Sequence, residues 1–382
     1  MKRLAIISSH PIQYNAPLFR LLHERNLVDV RVFYTWSQSE SGVVFDPGFG
    51  QSRSWDIPLL EGYPYEFVPN VAQQPGSHHF WGIQNPTLIE RINSYKPDAV
   101  LVFGWSFRSH LAAMRYFKGK IPVWFRGDST LLDEPSGWHA KTWLRRLALR
   151  MVMRYVDVAF YVGESNKRYF LAHGLRESQL IYAPHAVDNN RFGDPQGEYQ
   201  AEADHWRQQL GLRADRPSFL FAGKLEAKKN VLALVEAFVG MPHVDLILVG
   251  NGVLEDNVRQ LASRCTNVYL LPFQNQSKMP VVYRLANYFT LPSSGPGETW
   301  GLALNEAMAC GRPVIASTKC GGALDLIQPG WNGFITSGRV ADLQQIVQQC
   351  LSHNYTTLQR HASEHIRTFS LERIARQWEE TL

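Results

Sequence analysis

The sequence predicts an α/β protein made of two Rossmann-like, doubly wound parallel-sheet domains, and three observations carry that prediction. At 382 residues the chain exceeds the roughly 250–300 at which a single hydrophobic core stops growing, so two domains are expected. Short apolar, β-branched or aromatic runs recur, separated by helix-length amphipathic segments. This is the pattern of strands buried on both faces and joined by crossover helices. A polar stretch rich in turn formers, Asp188 to Pro217, divides those runs into two sets of six.

The first set is Leu4–Ser8, Val28–Tyr34, Ala99–Phe103, Pro122–Phe125, Val156–Val162 and Leu180–Ala183. The second is Phe219–Ala222, Val244–Val249, Val268–Leu271, Tyr288–Leu291, Pro313–Ala316 and Gly333–Ile335. The expected organisation is a first domain over 1–190, a linker region over 191–216, a second domain over 217–365 and a final helical segment over 366–382. Ligands of doubly wound sheets bind beyond the carboxyl ends of the strands, so the expected site is a cleft where the two domains face each other.

Composition narrows the function classes. With 45% hydrophobic and 19% charged residues, the chain can bury a core and is not of a disordered class. The net charge of +5 is spread along the chain, which argues against a nucleic-acid binder and suits a pocket for an anionic ligand. Met1-Lys2-Arg3 imitates the basic start of a signal peptide, but the apolar run Leu4–Ile7 is cut off by Ser8-Ser9-His10-Pro11 and reads as a buried first strand. No run approaches the ~18 apolar residues of a membrane span, so any membrane role is expected to be peripheral. Cys265, Cys310, Cys320 and Cys350 show no C-x-x-C spacing, and reduced thiols in the cytoplasm are the expectation.

The stretch Gly297-Glu298-Thr299-Trp300-Gly301-Leu302 through Glu306 carries the chemistry. A strand ending near Leu291 runs through a loop into a helix beginning near Gly301, whose unpaired N–H groups and positive dipole end seat a phosphate. Glu298 and Glu306 then lie on either side of that seat, and carboxylates accept hydrogen bonds from vicinal hydroxyls such as those of a ribose or a sugar ring. The pair suits a nucleoside diphosphate sugar. Upstream, the strand Phe219–Ala222 ends in Gly223 and a turn bearing Lys224, Lys228 and Lys229, which can clamp a diphosphate electrostatically. Gly250-Asn251-Gly252 resembles a clipped dinucleotide loop, with no third glycine to support NAD binding.

These segments resemble the donor domain of the retaining nucleotide-sugar glycosyltransferases of family 4, whose fold is GT-B. The resemblance covers most of the chain and is strongest from Phe219 to Ile335. It implies that Glu306 holds the donor ribose and Glu298 the transferred sugar, with Thr299, Trp300 and the N–H groups near Gly301 and Leu302 around the phosphates. It places Lys229 on the family's pyrophosphate lysine and Lys224 where an arginine is usual, keeping the charge without the bidentate fork. Pro272 and Phe273 fall in the base-binding loop, Gly223 and Gly250 border the donor, and Ser370–Leu382 resembles a helix crossing back to the first domain.

The resemblance thins in the first half. The run Phe125-Arg126-Gly127-Asp128-Ser129 lacks the histidine that family members often carry there, leaving Arg126 and Asp128 as candidates to touch donor sugar or acceptor. His10, Tyr14, Trp105, Arg108 and His185 are the candidates for the acceptor side.

The expected reaction is sugar transfer from a nucleotide sugar, UDP-linked by family frequency, to a glycan or lipid-linked acceptor in cell-surface polysaccharide or lipopolysaccharide synthesis. No Asp-x-Asp occurs, so lysines are expected to replace a metal and no cofactor is expected. Three alternatives compete. A nucleotide-sugar 2-epimerase shares the fold. His361-Ala362-Ser363-Glu364-His365 fits the H-x-x-E-H spacing of a zinc hydrolase. The segment Trp138–Tyr155 sets Lys141, Arg145, Arg146 and Arg150 beside a stripe of Trp143, Leu147, Met151 and Tyr155; it reads as an interfacial helix or, more simply, as one packed by that stripe on its own sheet.

Overall fold

The computed structural model describes residues 1–40, 43–46, 51–132, 134 and 139–382. The chain divides into two units: Met1–Val44 with Ile57–Pro184 and Leu371–Leu382, and Phe45–Asp56 with His185–Ser370.

In chain order the strands are β1 (Arg3–Ser8), β2 (Asp29–Tyr34), β3 (Val43–Asp46), β4 (Gln51–Ser54), β5 (Tyr65–Phe67), β6 (Ala99–Phe103), β7 (Val123–Arg126), β8 (Val158–Tyr161) and β9 (Leu180–Tyr182). Seven of them form the parallel sheet of the first unit in the order β5-β2-β1-β6-β7-β8-β9, while β3 and β4 pair with each other. Ile6 stands between Val32 and Leu101, all fully buried, as strands covered on both faces require. The helix Ala16–Arg25 starts with Pro17 in its first turn and stops at Asn26, which turns left-handed at φ 51°. Buried Asn85 donates through Nδ2 to the carbonyls of Thr35, Val68 and Pro69, tying down the chain beyond β2 and β5.

The last helix, Leu371–Thr381, belongs to this first unit. Leu371, Ile374, Ala375 and Trp378 recur at helical spacing and are buried, Trp378 against Phe103 and Phe160. Arg25 adds a bidentate pair to Glu379, at 2.8 Å for each bond.

The helix Ala140–Met153 rests on the sheet through Leu149, Val152 and Met153. The predicted stripe does not face the sheet: Trp143, Leu147 and Met151 point outward, Tyr155 alone is partly packed on the core, and Trp138 lies outside the described residues.

The second unit holds β10 (Ser218–Ala222), β11 (Asp245–Val249), β12 (Val268–Leu271), β13 (Tyr288–Leu291), β14 (Val314–Ser317) and β15 (Gly333–Thr336). They form a six-stranded parallel sheet, β12-β11-β10-β13-β14-β15. The segment expected as a linker contains the helix Glu198–Gln209. Asp194 starts it by accepting from the N–H groups of Tyr199 and Gln200, at 3.1 and 2.8 Å. Arg207 anchors it, donating to Ser218 Oγ and to the Leu285 carbonyl. Among the described residues no helix is long and apolar enough to cross a membrane.

Candidate functional site

In the second unit, β13 leads through the loop 292–300 into the helix Leu302–Ala309. Gly301 caps that helix at φ 90°, and a Cβ there would lie 2.5 Å from Cys320 Sγ, so both conformation and space demand glycine. Of the opening amides, that of Leu304 donates back to the Gly301 carbonyl at 2.8 Å, and those of Leu302 and Ala303 stand at the positive end of the helix, where an anion can be seated. The loop is fixed from several sides. Asn230 Nδ2 donates to the carbonyls of Pro292 and Gly338, at 3.2 and 2.7 Å, and Ser317 Oγ donates to the Ser293 carbonyl. The amides of Gly321 and Gly322 donate to the carbonyls of Glu298 and Trp300, each at 2.9 Å. Cys320 Sγ donates to the same Trp300 carbonyl, and burial pushes its thiol pKa well up.

Within this frame the predicted charges meet. Lys229 Nζ donates to Glu298 Oε2, which also accepts from Ser293 Oγ at 2.8 Å. The two side chains of the ion pair are 19% and 13% exposed, so salt screens the pair little while it stays reachable. Lys224 is half-buried, whereas Lys228 is exposed and pairs with Glu226 at 3.3 Å. Three expected lysines therefore reduce to two at the turn. Glu306 is buried, and Tyr283 Oη donates to its Oε2 at 2.6 Å. The two glutamates thus sit differently, one ion-paired in the loop and one held by a phenol inside the domain.

Gly250 and Gly252 are required by packing. A Cβ on Gly250 would stand 2.0 Å from the Gly223 carbonyl oxygen, and one on Gly252 within 2.5 Å of the Leu225 carbonyl oxygen. The amides of Gly223 and Gly250 continue the ladder to Val249 and Leu271. Asn251 Oδ1 accepts from the Phe273 amide at 2.8 Å and so fixes the loop carrying Phe273 and the exposed Pro272. Thr299 is half-buried, while Trp300 is buried and donates through Nε1 to Asn305 Oδ1 at 2.8 Å. Asn305 Nδ2 donates to the His185 carbonyl at 3.2 Å, and the His185 ring meets Trp300 edge-on at 5.5 Å. His185, expected on the acceptor side, is therefore a neighbour of the second unit's own loop. Ser293, Asn251 and Tyr283 are not among the site residues expected from the sequence. Only Tyr283 had a signal, a phenol inside the apolar helix Met279–Arg284.

In the first unit the expected residues follow the carboxyl ends of β1, β6 and β7. His10 Nδ1 pairs with Ser9 Oγ at 2.9 Å, its ring meets Trp36 edge-on, and burial lowers its pKa. Tyr14, Trp105 and Asp128 are half-buried. Arg108 is exposed, donates to Gln84 Oε1 at 2.6 Å and covers the Trp81 ring at 5.5 Å. Arg126, expected to touch donor sugar or acceptor, is buried instead. Its guanidinium donates to the carbonyls of Ala183 and Pro184, at 2.8 and 3.1 Å, and lies over Trp378 at 5.9 Å. Desolvation pulls its pKa down to about 10, with Asp128 opposing. It fastens the exit of β9.

The zinc alternative loses its ligands. His361 Nδ1 faces the Trp331 carbonyl at 2.9 Å, its Nε2 lies 3.2 Å from Arg360, and His365 Nε2 faces the Asp325 carbonyl at 3.2 Å. Glu364 pairs with Arg360. Trp331 stacks on His361 at 4.5 Å, so the motif packs the second unit.

The segment that carries this loop, helix and glutamate pair matches, over residues 202–368, the family described as glycosyl transferases group 1. Proteins similar to this chain include D-inositol 3-phosphate glycosyltransferase of Mycobacterium sp. (strain JLS), 31% identical over 209 residues, 52% of this chain and 45% of that protein. A second is the GDP-mannose-dependent monoacylated alpha-(1-6)-phosphatidylinositol monomannoside mannosyltransferase of Corynebacterium glutamicum, 28% identical over 207 residues, 52% of this chain and 53% of that protein. The chain spans about half the length of the relatives it matches. Among solved structures, Anabaena Alr3699/HepE in complex with UDP aligns with a TM-score of 0.72 at 22% identity, covering 100% of this chain and 99% of that one. Sucrose-phosphate synthase from Thermosynechococcus elongatus aligns at 0.70 and 20% identity, covering 100% and 98%. These likenesses fix the fold as GT-B, the class expected from the sequence.

Proposed function

We propose that the chain is a retaining glycosyltransferase. It moves a sugar from a UDP-sugar to a hydroxyl of a glycan or lipid-linked acceptor, working from the cytoplasm in cell-surface polysaccharide synthesis. The observation that carries this reading is the Lys229–Glu298–Ser293 cluster beside the opening turn of Leu302–Ala309, with buried Glu306 on the same helix. The diphosphate takes the helix N-terminus, and Lys229 leaves Glu298 for it, with Lys224 supporting. Positive charge then stands where the leaving group becomes more negative. Glu298, released, accepts from the sugar hydroxyls, and Glu306, steadied by Tyr283, accepts from the ribose. The bond from the sugar's anomeric carbon to the diphosphate breaks, and the acceptor oxygen bonds that carbon on the same face. The acceptor proton passes to the departing diphosphate. In this reading lysines take the place of a metal ion, and no cofactor takes part.

The test is calorimetric titration of UDP, GDP, ADP and their sugars, with and without EDTA, on wild type and Glu306→Gln. Tight binding of uridine nucleotides that survives EDTA and weakens at least about tenfold in the variant is expected, the loss of one charge-assisted hydrogen bond. Preference for GDP-mannose, the donor named for the Corynebacterium relative, would replace the base assignment. Conversion of the donor with no acceptor present would favour the 2-epimerase and end the transferase reading.

A further inference from the structure

We propose that the outward face of the helix Ala140–Met153 and the basic pocket beside it form a docking surface for an anionic lipid bilayer. Trp143, Leu144, Leu147 and Met151 are 56%, 59%, 46% and 58% exposed. At 3.6 residues per turn they fall within an arc of about 100°, on the side opposite Leu149, Val152 and Met153, which pack on the core. Four large apolar side chains on one solvent-facing arc form a patch, unlike singly scattered surface hydrophobics. The flanks are cationic: Arg150 and Arg154 on one side, Lys141 on the other, and among the described residues no carboxylate is paired with any of the three. Their long stems let the charges reach the headgroup level while the apolar arc enters the acyl boundary.

A second observation points the same way. Arg150 and Arg154 line a pocket of about 450 Å³ whose other charged lining residues are Arg176 and Lys118, the lysine being already paired with Asp157. It lies just ahead of β8 and β9, at their amino ends, away from the loops bearing His10, Trp105 and Arg108. Three arginines around a cavity beside an apolar arc suit a phosphodiester headgroup whose acyl chains leave along the arc. A second copy of the chain fits poorly, because a two-fold contact through this face would bring its arginines against their own equivalents. The inference is independent of the donor-site reading.

The experiment is co-sedimentation of the full chain with vesicles of equal parts phosphatidylglycerol and phosphatidylcholine, and with phosphatidylcholine alone. It compares wild type with Trp143→Ser/Leu147→Ser and Arg150→Ser/Arg154→Ser. Wild type is expected to sediment with the anionic vesicles, to be released by salt and to leave the neutral ones alone. Each double variant is expected to bind about tenfold or more weakly, with unchanged circular dichroism and unchanged nucleotide titration. Failure to sediment at low salt, equal binding to both vesicles, or variants that bind like wild type would overturn the proposal. So would a dimer in ultracentrifugation that the Trp143→Ser/Leu147→Ser variant abolishes. Because nucleotide binding is read separately, loss of lipid binding and failure of the transferase reading are distinguishable.

Discussion

At Glu298 the free protein already holds the interaction that a donor would have to replace. Lys229 and Ser293 both bond its Oε2, so the carboxylate is neutralised and oriented before any sugar arrives. Lys229→Met removes the charge proposed to meet the diphosphate and also leaves a mostly buried carboxylate without its cation. We expect kcat/KM to fall by about 10²–10³ and thermal stability to fall with it. Adding Glu298→Gln should restore the melting temperature but not the activity, since it removes the stranded charge and supplies no cation. If the double variant regained turnover, Lys229 would be a structural partner of Glu298 only. Arg126 shows the opposite case. Adjacent to a strand end, it reads from sequence as a ligand-binding arginine, and nothing near it in the chain announces that Trp378 and two carbonyls occupy it. Tyr283 escaped notice for a related reason: a phenol in an apolar run reads as core, and its one polar atom acquires meaning only beside Glu306.

At the scale of elements, every one of the twelve predicted strands is present, because buried parallel strands are continuous apolar runs that need no tertiary context to recognise. The strand β5 was missed: Tyr65-Glu66-Phe67 is short, carries a charge and lies at the sheet edge. The helix Ala140–Met153 was legible as a helix but not as to its direction. It has apolar side chains on two sides, and only packing decides which one meets the sheet. The glycine loops were read as places where a ligand approaches the backbone, whereas the structure shows loop packed on loop. Gly250→Ala should therefore cost about 3 kcal/mol or more, since its Cβ would stand 2.0 Å from a carbonyl oxygen. Gly297→Ala meets open space at φ 91° and should cost only about 1 kcal/mol. Thermal unfolding of the two variants checks the ranking; equal losses would mean that the loops part freely.

For the whole molecule, the first unit is not one continuous stretch of chain. It takes its last helix, Leu371–Thr381, from beyond the entire second sheet. Leu371, Ile374 and Trp378 bury roughly 5–9 kcal/mol worth of apolar surface by the usual area scale, comparable with the net stability of a domain. Deleting residues 371–382 should strip Arg126 of its aromatic partner and lower or abolish the first unit's calorimetric transition. A second transition, from the unit containing 185–370, should persist near its original temperature. Simultaneous loss of both would show that the two units unfold as one.

That same helix sets an order on synthesis. Residues 1–184 leave the ribosome first, yet their hydrophobic face around Phe103 and Phe160 stays open until Trp378 has been made. The second sheet, complete by Ser370, can close earlier. Of the two units, the one whose synthesis starts first is thus the one finished last, and through that interval its uncovered aromatic surface is open to chaperones and to aggregation.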